Sequence, residues 1–248
     1  MPTFRVLAPT VPSSIACAQC ALAVMTKAPQ AGQVKTRLIP PLTPDEAAEL
    51  NKSFLRDTTS TISSAAKTNS ACGIAVYTPV GTESVYNDIL PQDFVLLPQR
   101  GENFGERLYF AAEDLFQCGF ESVCLIDSDS PTVTAKSFSK AIELLSSGGD
   151  HVVLGPSDDG GYYLIGFNKL HRELFEGIDW STDVVLHQTK RSALEIGLEV
   201  KLLPPGYDID DAASLRRLCN ELLADTAPTS IAPHTRRFLS KLIAQKKL

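Results

Sequence analysis

The chain has 248 residues, 44% hydrophobic and 21% charged, with 23 Lys+Arg against 29 Asp+Glu for a formal charge of −6. That length and apolar content suffice for one large domain or two small ones with a buried core, and they exclude a disordered or fibrous chain. No run approaches the roughly 18 apolar residues of a membrane-spanning helix, and the acidic balance argues against a general nucleic-acid binder. The charge is uneven. Residues 1–44 carry +4 and no acid, and residues 226–248 carry +5 and no acid, which leaves −15 for 45–225. A basic start beside an acid-rich body suits a phosphate-bearing small molecule and a divalent metal.

The first 20 residues contain Pro2, Pro9 and Pro12 and no apolar stretch of signal-peptide type. Cytoplasm is therefore the expected compartment. Cys72, Cys118 and Cys124 lie in apolar contexts, where Cys acts as a small hydrophobe. Cys17-Ala-Gln-Cys20 is a lone CxxC without a second pair or a nearby His to complete a zinc site.

Strand-like and helical segments then alternate. Residues 21–25 (Ala-Leu-Ala-Val-Met) read as the first strand, followed by a Pro/Gly loop to Pro41. Thr43-Pro44-Asp45-Glu46 has the form of a helix start, with a Thr N-cap, Pro in the first turn and acids behind it. Ala47, Leu50, Phe54, Leu55 and Ile62 recur on one face of that helix. Strands are predicted at 73–77, 94–97, 123–126, 151–154, 162–165 and 199–203. Helices are predicted through Phe104–Leu115, Phe138–Leu145, 183–196 and Leu215–Leu222. Apolar strands alternating with helices predict an α/β domain, a Rossmann-like three-layer α/β/α sandwich on a mostly parallel sheet. The expected organisation is an N-terminal extension (1–19), a single domain (20–224) and a basic C-terminal tail (225–248), the tail solvated or contacting a second copy in a homodimer.

In open α/β sheets ligands bind beyond the carboxyl ends of the strands, and four segments fall there. Lys27-Ala-Pro-Gln-Ala-Gly32-Gln-Val-Lys35-Thr-Arg37 offers three cations and a glycine free to take positive φ. It has neither Walker A nor GxGxxG spacing. Phosphate binding by Lys27, Gly32, Lys35 and Arg37 is the sharper reading, a solvated basic turn the blander one. Asp127-Ser-Asp129-Ser-Pro131 places two carboxylates two residues apart, hard ligands of the kind Mg²⁺ or Mn²⁺ requires, although Asp and Ser before Pro also build ordinary turns. Asp158-Asp159-Gly160-Gly161-Tyr162 is either a tight turn or a carboxylate set beside a substrate hydroxyl as base or acceptor. In Tyr207-Asp208-Ile-Asp210-Asp211, Asp211 is the expected cap of the next helix, which leaves Asp208 and Asp210 for a metal or a ribose.

These segments occur in a set order with Gly155-Pro156, Tyr163-Leu-Ile-Gly166 and Trp180-Ser181-Thr182. Together they closely resemble the bacterial DUF2064 group, GT-A-type glycosyltransferases similar to those of arsenosugar biosynthesis and distantly similar to molybdenum-cofactor and phospholactate guanylyltransferases. The resemblance covers about residues 20–224. It implies a nucleotide-diphospho-sugar transferase (GT-A) fold with a divalent metal, Mg²⁺ or Mn²⁺, and it makes Asp129 the matched metal position. Asp127 departs from the family pattern, which has Gly there, and is either an added ligand or a charged strand end. Gly160, Gly161, Tyr162 and Trp180 are then candidates for the acceptor pocket, with an aromatic core residue followed by helix-capping Ser181 and Thr182 as the competing account of the last segment.

The implied reaction is transfer from a nucleotide-activated donor to a small acceptor. Cations at Lys27, Lys35, Arg37 and Arg107 would hold phosphates, Asp127, Asp129, Asp208 and Asp210 a metal, and Asp158 or Asp159 would take the acceptor proton. For Arg107 the alternative is a plain helix-surface charge. Glycosyl transfer from a nucleotide sugar leads. Nucleotidyl transfer from an NTP with release of pyrophosphate comes second, since the Gly-Gly-x-Ser-x-Arg-Met-type loop of such enzymes is replaced here by Lys27–Arg37. A non-catalytic nucleotide-binding protein is third. The four His residues are scattered, and neither HExxH nor GxSxG occurs.

Overall fold

The computed structural model describes residues 4–9 and 19–245. Seven strands, β1 (Cys20–Lys27), β2 (Ala71–Thr78), β3 (Val95–Pro98), β4 (Ser122–Ile126), β5 (His151–Pro156), β6 (Tyr162–Phe167) and β7 (Glu199–Leu202), form one sheet in the order β3-β2-β1-β4-β6-β5-β7. All pairings are parallel except those of β6, which runs antiparallel to both β4 and β5. The predicted mostly parallel α/β architecture is therefore what the chain adopts. Six helices accompany the sheet: α1 (Pro44–Thr68), α2 (Phe104–Gln117), α3 (Ala135–Ser146), α4 (Val185–Glu195), α5 (Ala212–Leu223) and α6 (Pro233–Ala244).

Alternation along β1 shows why the sheet is covered twice. Cys20, Leu22 and Val24 enter one core with Leu55, Ile62, Phe138 and Ile142 of α1 and α3. Ala21 and Ala23 enter the opposite core with Leu108, Ala111 and Leu115 of α2. Successive side chains point to opposite faces of a strand, so an all-apolar strand must be buried on both.

Helix α1 begins as its sequence dictates. Thr43 Oγ1 accepts from Glu46 N (3.3 Å), the Glu46 carboxylate accepts from Thr43 N (2.9 Å), and Pro44 occupies the first turn. Thr43→Ala should lower stability by about 1 kcal/mol, read as a shifted urea midpoint at unchanged m-value; an unshifted midpoint would show that tertiary packing alone fixes this helix end.

Both ends of the chain depart from expectation. Within the extension, Leu7 is buried, Leu7 N donates to Leu96 O (2.8 Å) and Leu96 N donates to Arg5 O (2.9 Å), so residues 5–7 pair along β3. Within 225–248, expected as a tail, α6 is an amphipathic helix whose Thr235, Leu239 and Leu242 are buried against α1 and α5. Of its described cations Arg237 and Lys241 are exposed, whereas Arg236 is half-buried and donates to Ala227 O (3.2 Å) and Pro228 O (3.0 Å), and the apolar stripe is short. Leu239 and Leu242 join Leu38, Leu50, Phe54, Tyr207, Ile209, Leu215 and Leu218 in a third core. That core fastens the Lys27–Arg37 loop and the Tyr207–Asp210 loop to one support. Cys17 lies outside the described residues, and Cys20 is buried in β1.

Candidate active site

The four loops predicted to carry chemistry all leave the same edge of the sheet. Because β1, β4, β5 and β7 run in one direction, Lys27, Asp127, Ser157 and Leu203 emerge side by side, and antiparallel β6 starts there with Tyr162. Backbone bonds lash the loops together. Ile209 N donates to Asp129 O (3.1 Å), Asp158 N to Gly206 O (3.1 Å) and Asp127 N to Tyr163 O (2.9 Å).

Two adjoining hollows result. The first, about 330 Å³, is lined by Asp127, Asp129, Asp159, Asp208 and Asp210 together with Phe104, Tyr162 and Trp180. Trp180 meets Phe104 edge-on (5.2 Å between ring centroids) and Tyr162 likewise (6.5 Å), which makes a rigid aromatic wall. The second hollow, also about 330 Å³, contains Lys27, Lys35, Arg37 and Asn51. The two share Arg37, Asp129, Ser181 and Asp210.

Lys35 is the central charge. Its ammonium lies 2.9 Å from Asp129 Oδ1 and 3.1 Å from Asp210 Oδ1, donates to Ile209 O at 2.6 Å, and its side chain is only 5% exposed. Burial alone would push Lys35 toward neutrality, but the charges and hydrogen bonds of Asp129 and Asp210 outweigh it and hold the pKa above the usual lysine value. Arg37, largely exposed, reaches Asp210 at 3.6 Å, and Lys27 reaches Gln33 at 3.5 Å.

The carboxylates differ in setting. Desolvation, then the charge of Asp129, raises the Asp127 carboxyl well above the ordinary range, offset in part by Ser130 Oγ donating at 2.7 Å. Asp208 is raised to about 6 by desolvation first and the Asp159 and Asp210 charges next, while Ser157 Oγ donates to it at 3.2 Å. Asp159 Oδ1 accepts from Gly161 N at 2.9 Å, a bond that aims the β5–β6 turn. Gly160 holds φ +90°, and a Cβ there would stand 2.0 Å from Asp183 O, so only glycine fits this turn.

Some predicted residues are placed elsewhere. Asp158, beside Asp159 in the tight turn closed by Gly160 N donating to Ser157 O (3.2 Å), turns away to pair with Arg217 (2.7 Å) and lines a different cavity. Arg107 donates to Gly101 O and Glu102 O (3.4 Å each), which ties down the loop before α2, and does not line either hollow. Gly32 has the anticipated positive φ (73°) but is exposed and lines neither hollow. Gly160 shapes the turn without lining the cleft, whereas Gly161, Tyr162 and Trp180 do line it. Thr182 does not cap α4: its hydroxyl donates to Asp179 O (2.6 Å), and the helix starts after Val184 without a side-chain cap. Asp211 caps α5 as expected, accepting from Ala213 N and Ser214 N.

Asn51 was not foreseen. It sits on α1 in the cationic hollow, is 5% exposed, and its Oδ1 has no hydrogen-bond partner. Its signal is positional: it falls on the stripe of Ala47, Leu50, Phe54 and Leu55, where a polar residue needs a reason.

The donor chemistry suits a hard divalent cation, but the arrangement does not. Among the described residues, no three His, Cys, Asp or Glu side chains are grouped so that they could hold a metal ion. Asp129 and Asp210 are already bridged by a resident ammonium.

The sheet order and the loop cluster on its carboxyl edge define a nucleotide-diphospho-sugar transferase-like α/β fold. A protein of Desulfovibrio desulfuricans G20, proposed to be a nucleotide-diphospho-sugar transferase, is 28% identical with a TM-score of 0.81, covering 92% of this chain and 96% of that one. The 4-diphosphocytidyl-2C-methyl-D-erythritol synthase of Anaerococcus prevotii DSM 20548 (14% identity, TM-score 0.52, 81% and 96% covered) shares the fold. So does CMP:2-keto-3-deoxy-manno-octonic acid synthetase, solved with CTP (8%, 0.50, 81% and 96%). Residues 61–182 match the DUF2064 family model, described as an uncharacterized protein conserved in bacteria, so the resemblance seen in the sequence is to this family. No curated protein matches the chain. No helix among the described residues is long and apolar enough to cross a membrane.

Proposed function

We propose that the protein transfers a sugar from a nucleotide-diphospho-sugar to a neutral, hydroxyl-bearing small acceptor. The observation that carries this reading is the pairing of a cationic hollow with a carboxylate cleft. Lys27 and Arg37, with the amide of Asn51, suit the diphosphate of the donor. The neighbouring cleft, with Asp159, Asp208 and Asp127 beside an aromatic wall, suits a molecule with hydroxyls to donate and an apolar ring face to stack.

In this reading the acceptor oxygen attacks the anomeric carbon, the bond from that carbon to the diphosphate oxygen breaks, and the electron pair leaves with the nucleoside diphosphate. Asp159 receives the acceptor proton. Arg37 and Lys27 stabilise the charge gathering on the leaving diphosphate, already oriented before reaction. Trp180 and Tyr162 hold the acceptor and exclude water from its reactive face.

The same electrostatics count against nucleotidyl transfer. There the nucleophile would be a phosphate or carboxylate, an anion brought beside the Asp127, Asp159 and Asp208 carboxylates, where like charge disfavours it. A panel of UDP-, GDP-, ADP-, CDP- and dTDP-sugars and of NTPs, each with pooled small alcohols and sugars as acceptors, tests the reading. Acceptor-dependent release of nucleoside diphosphate is expected. Pyrophosphate release from an NTP would overturn it in favour of nucleotidyl transfer.

A further inference from the structure

Helix α2 carries one glycine, the buried Gly105 of its first turn. Helices disfavour glycine, which gives up the most backbone freedom on folding, and Gly105 is not among the residues with positive φ. What it supplies is room. A Cβ at 105 would stand 2.5 Å from Trp180 Nε1, 3.2 Å from Trp180 Cε2 and 2.8 Å from Phe175 O, against the roughly 3.5 Å at which carbon contacts become favourable. We propose that Gly105 is a positioning residue for the acceptor cleft: its missing side chain lets the Trp180 indole lie back on α2, and this sets the width of the cleft for a neutral sugar ring. The proposal rests on the transferase reading only in taking that cleft as the acceptor's.

Three observations carry it. Trp180 is a partition: it lines the carboxylate cleft and also a separate hollow of about 360 Å³, whereas Gly105 lines that hollow and not the cleft. Helix α2 therefore meets the indole from behind, and a side chain at 105 presses it toward the cleft. The indole is braced on its other sides. Phe104 and Tyr162 meet it edge-on at 78° and 81°, Trp180 N donates to Ile178 O (3.0 Å), and the Gln188 carboxamide both accepts from Asp179 N and donates to Asp179 Oδ2 (2.7 Å each). Finally, neither Gly105 nor Trp180 lines the cationic hollow, so a change at 105 acts on the acceptor half of the site.

The chain has a single tryptophan, so its emission reports this one contact. Gly105→Ala, with unchanged far-UV circular dichroism, should shift that emission. It should also bind methyl glucoside, a neutral sugar ring, at least roughly tenfold more weakly than wild type, the usual cost of one methyl too many in a packed site. Ligand-observed NMR reads the binding without relying on the indole. Pyrophosphate, the probe for the cationic hollow, should bind both proteins alike. Trp180→Phe supplies the rescue: with the smaller ring in place, adding Gly105→Ala should weaken methyl glucoside binding little further, the non-additivity expected of residues in contact.

Unchanged Trp180 emission in Gly105→Ala overturns the proposal. So does an equal loss of both probes, or a wild type that binds no methyl glucoside. If Gly105→Ala does not fold, the double variant with Trp180→Phe should. If that also fails, the Phe175 carbonyl rather than the indole excludes a side chain at 105, and the proposal falls. None of these measurements involves sugar transfer, which is read as release of nucleoside diphosphate, so a failed positioning residue and a failed transferase give different results.

Discussion

Asp159→Asn is expected to lower kcat for sugar transfer by roughly 10²–10⁴, the usual contribution of a positioned general base, while KM for the donor stays close to wild type. The substitution is conservative where it matters for shape. The Asn Oδ1 can keep the bond from Gly161 N that aims the turn, so the lost function is proton acceptance rather than geometry. Its neighbour is the control. Asp158 pairs with Arg217 across a half-exposed surface contact and faces another cavity, and such pairs contribute little. Asp158→Asn should leave kcat unchanged. If the two variants lose activity equally, or if Asp159→Asn retains it, Asp159 is not the base.

Asp57→Ala should cost about 2–4 kcal/mol of stability, from two lost charge-assisted hydrogen bonds and a helix end left bare. Helix α6 starts from Ala232, which has positive φ and no side-chain cap of its own. Its orphan amides are satisfied from another helix instead: the buried Asp57 of α1 accepts from His234 N (3.0 Å) and Thr235 N (2.8 Å). A carboxylate also suits the positive end of the helix dipole. Urea unfolding measures the loss, and a change below about 0.5 kcal/mol, the size of an ordinary surface substitution, would mean that α6 is held by its apolar face alone. Asp57→Asn should fall between wild type and Ala, since it keeps an acceptor but not the charge.

Asp57 and Asn51 explain what the sequence could and could not reveal. Both interrupt the apolar stripe of α1, and each does so for a partner more than a helix away: the start of α6 for one, the cationic hollow for the other. The periodicity showed the helix and its buried face, because burial repeats every third or fourth residue. It could not show which polar residues on that face were employed, because their partners come from distant segments. The strands were legible for the same local reason, being short, apolar and bounded by turns. Helix α6 was not, since five cations in 23 residues masked a stripe of few apolar positions.

The site divides along the same line. Its loops were found because they follow strands, and strand direction gathers them at one edge. Their side-chain directions were not found. Lys35 as an internal bridge, Asp158 turned outward and Arg107 bonded to its own loop are set by contacts across up to 175 positions, as between Lys35 and Asp210. Charge counting treated these groups as equivalent, and packing makes them different.

Leu239 and Leu242 complete the small core on which the Lys35 and Asp210 loops both rest. A polypeptide leaves the ribosome from its N-terminus, so strands β1 to β7 emerge before those two leucines do. A nascent chain halted ahead of residue 233 would have its whole sheet in hand but would lack Leu239 and Leu242 from the core beneath both loops. The seat of both loops is therefore completed only late in synthesis, when the segment carrying α6 arrives.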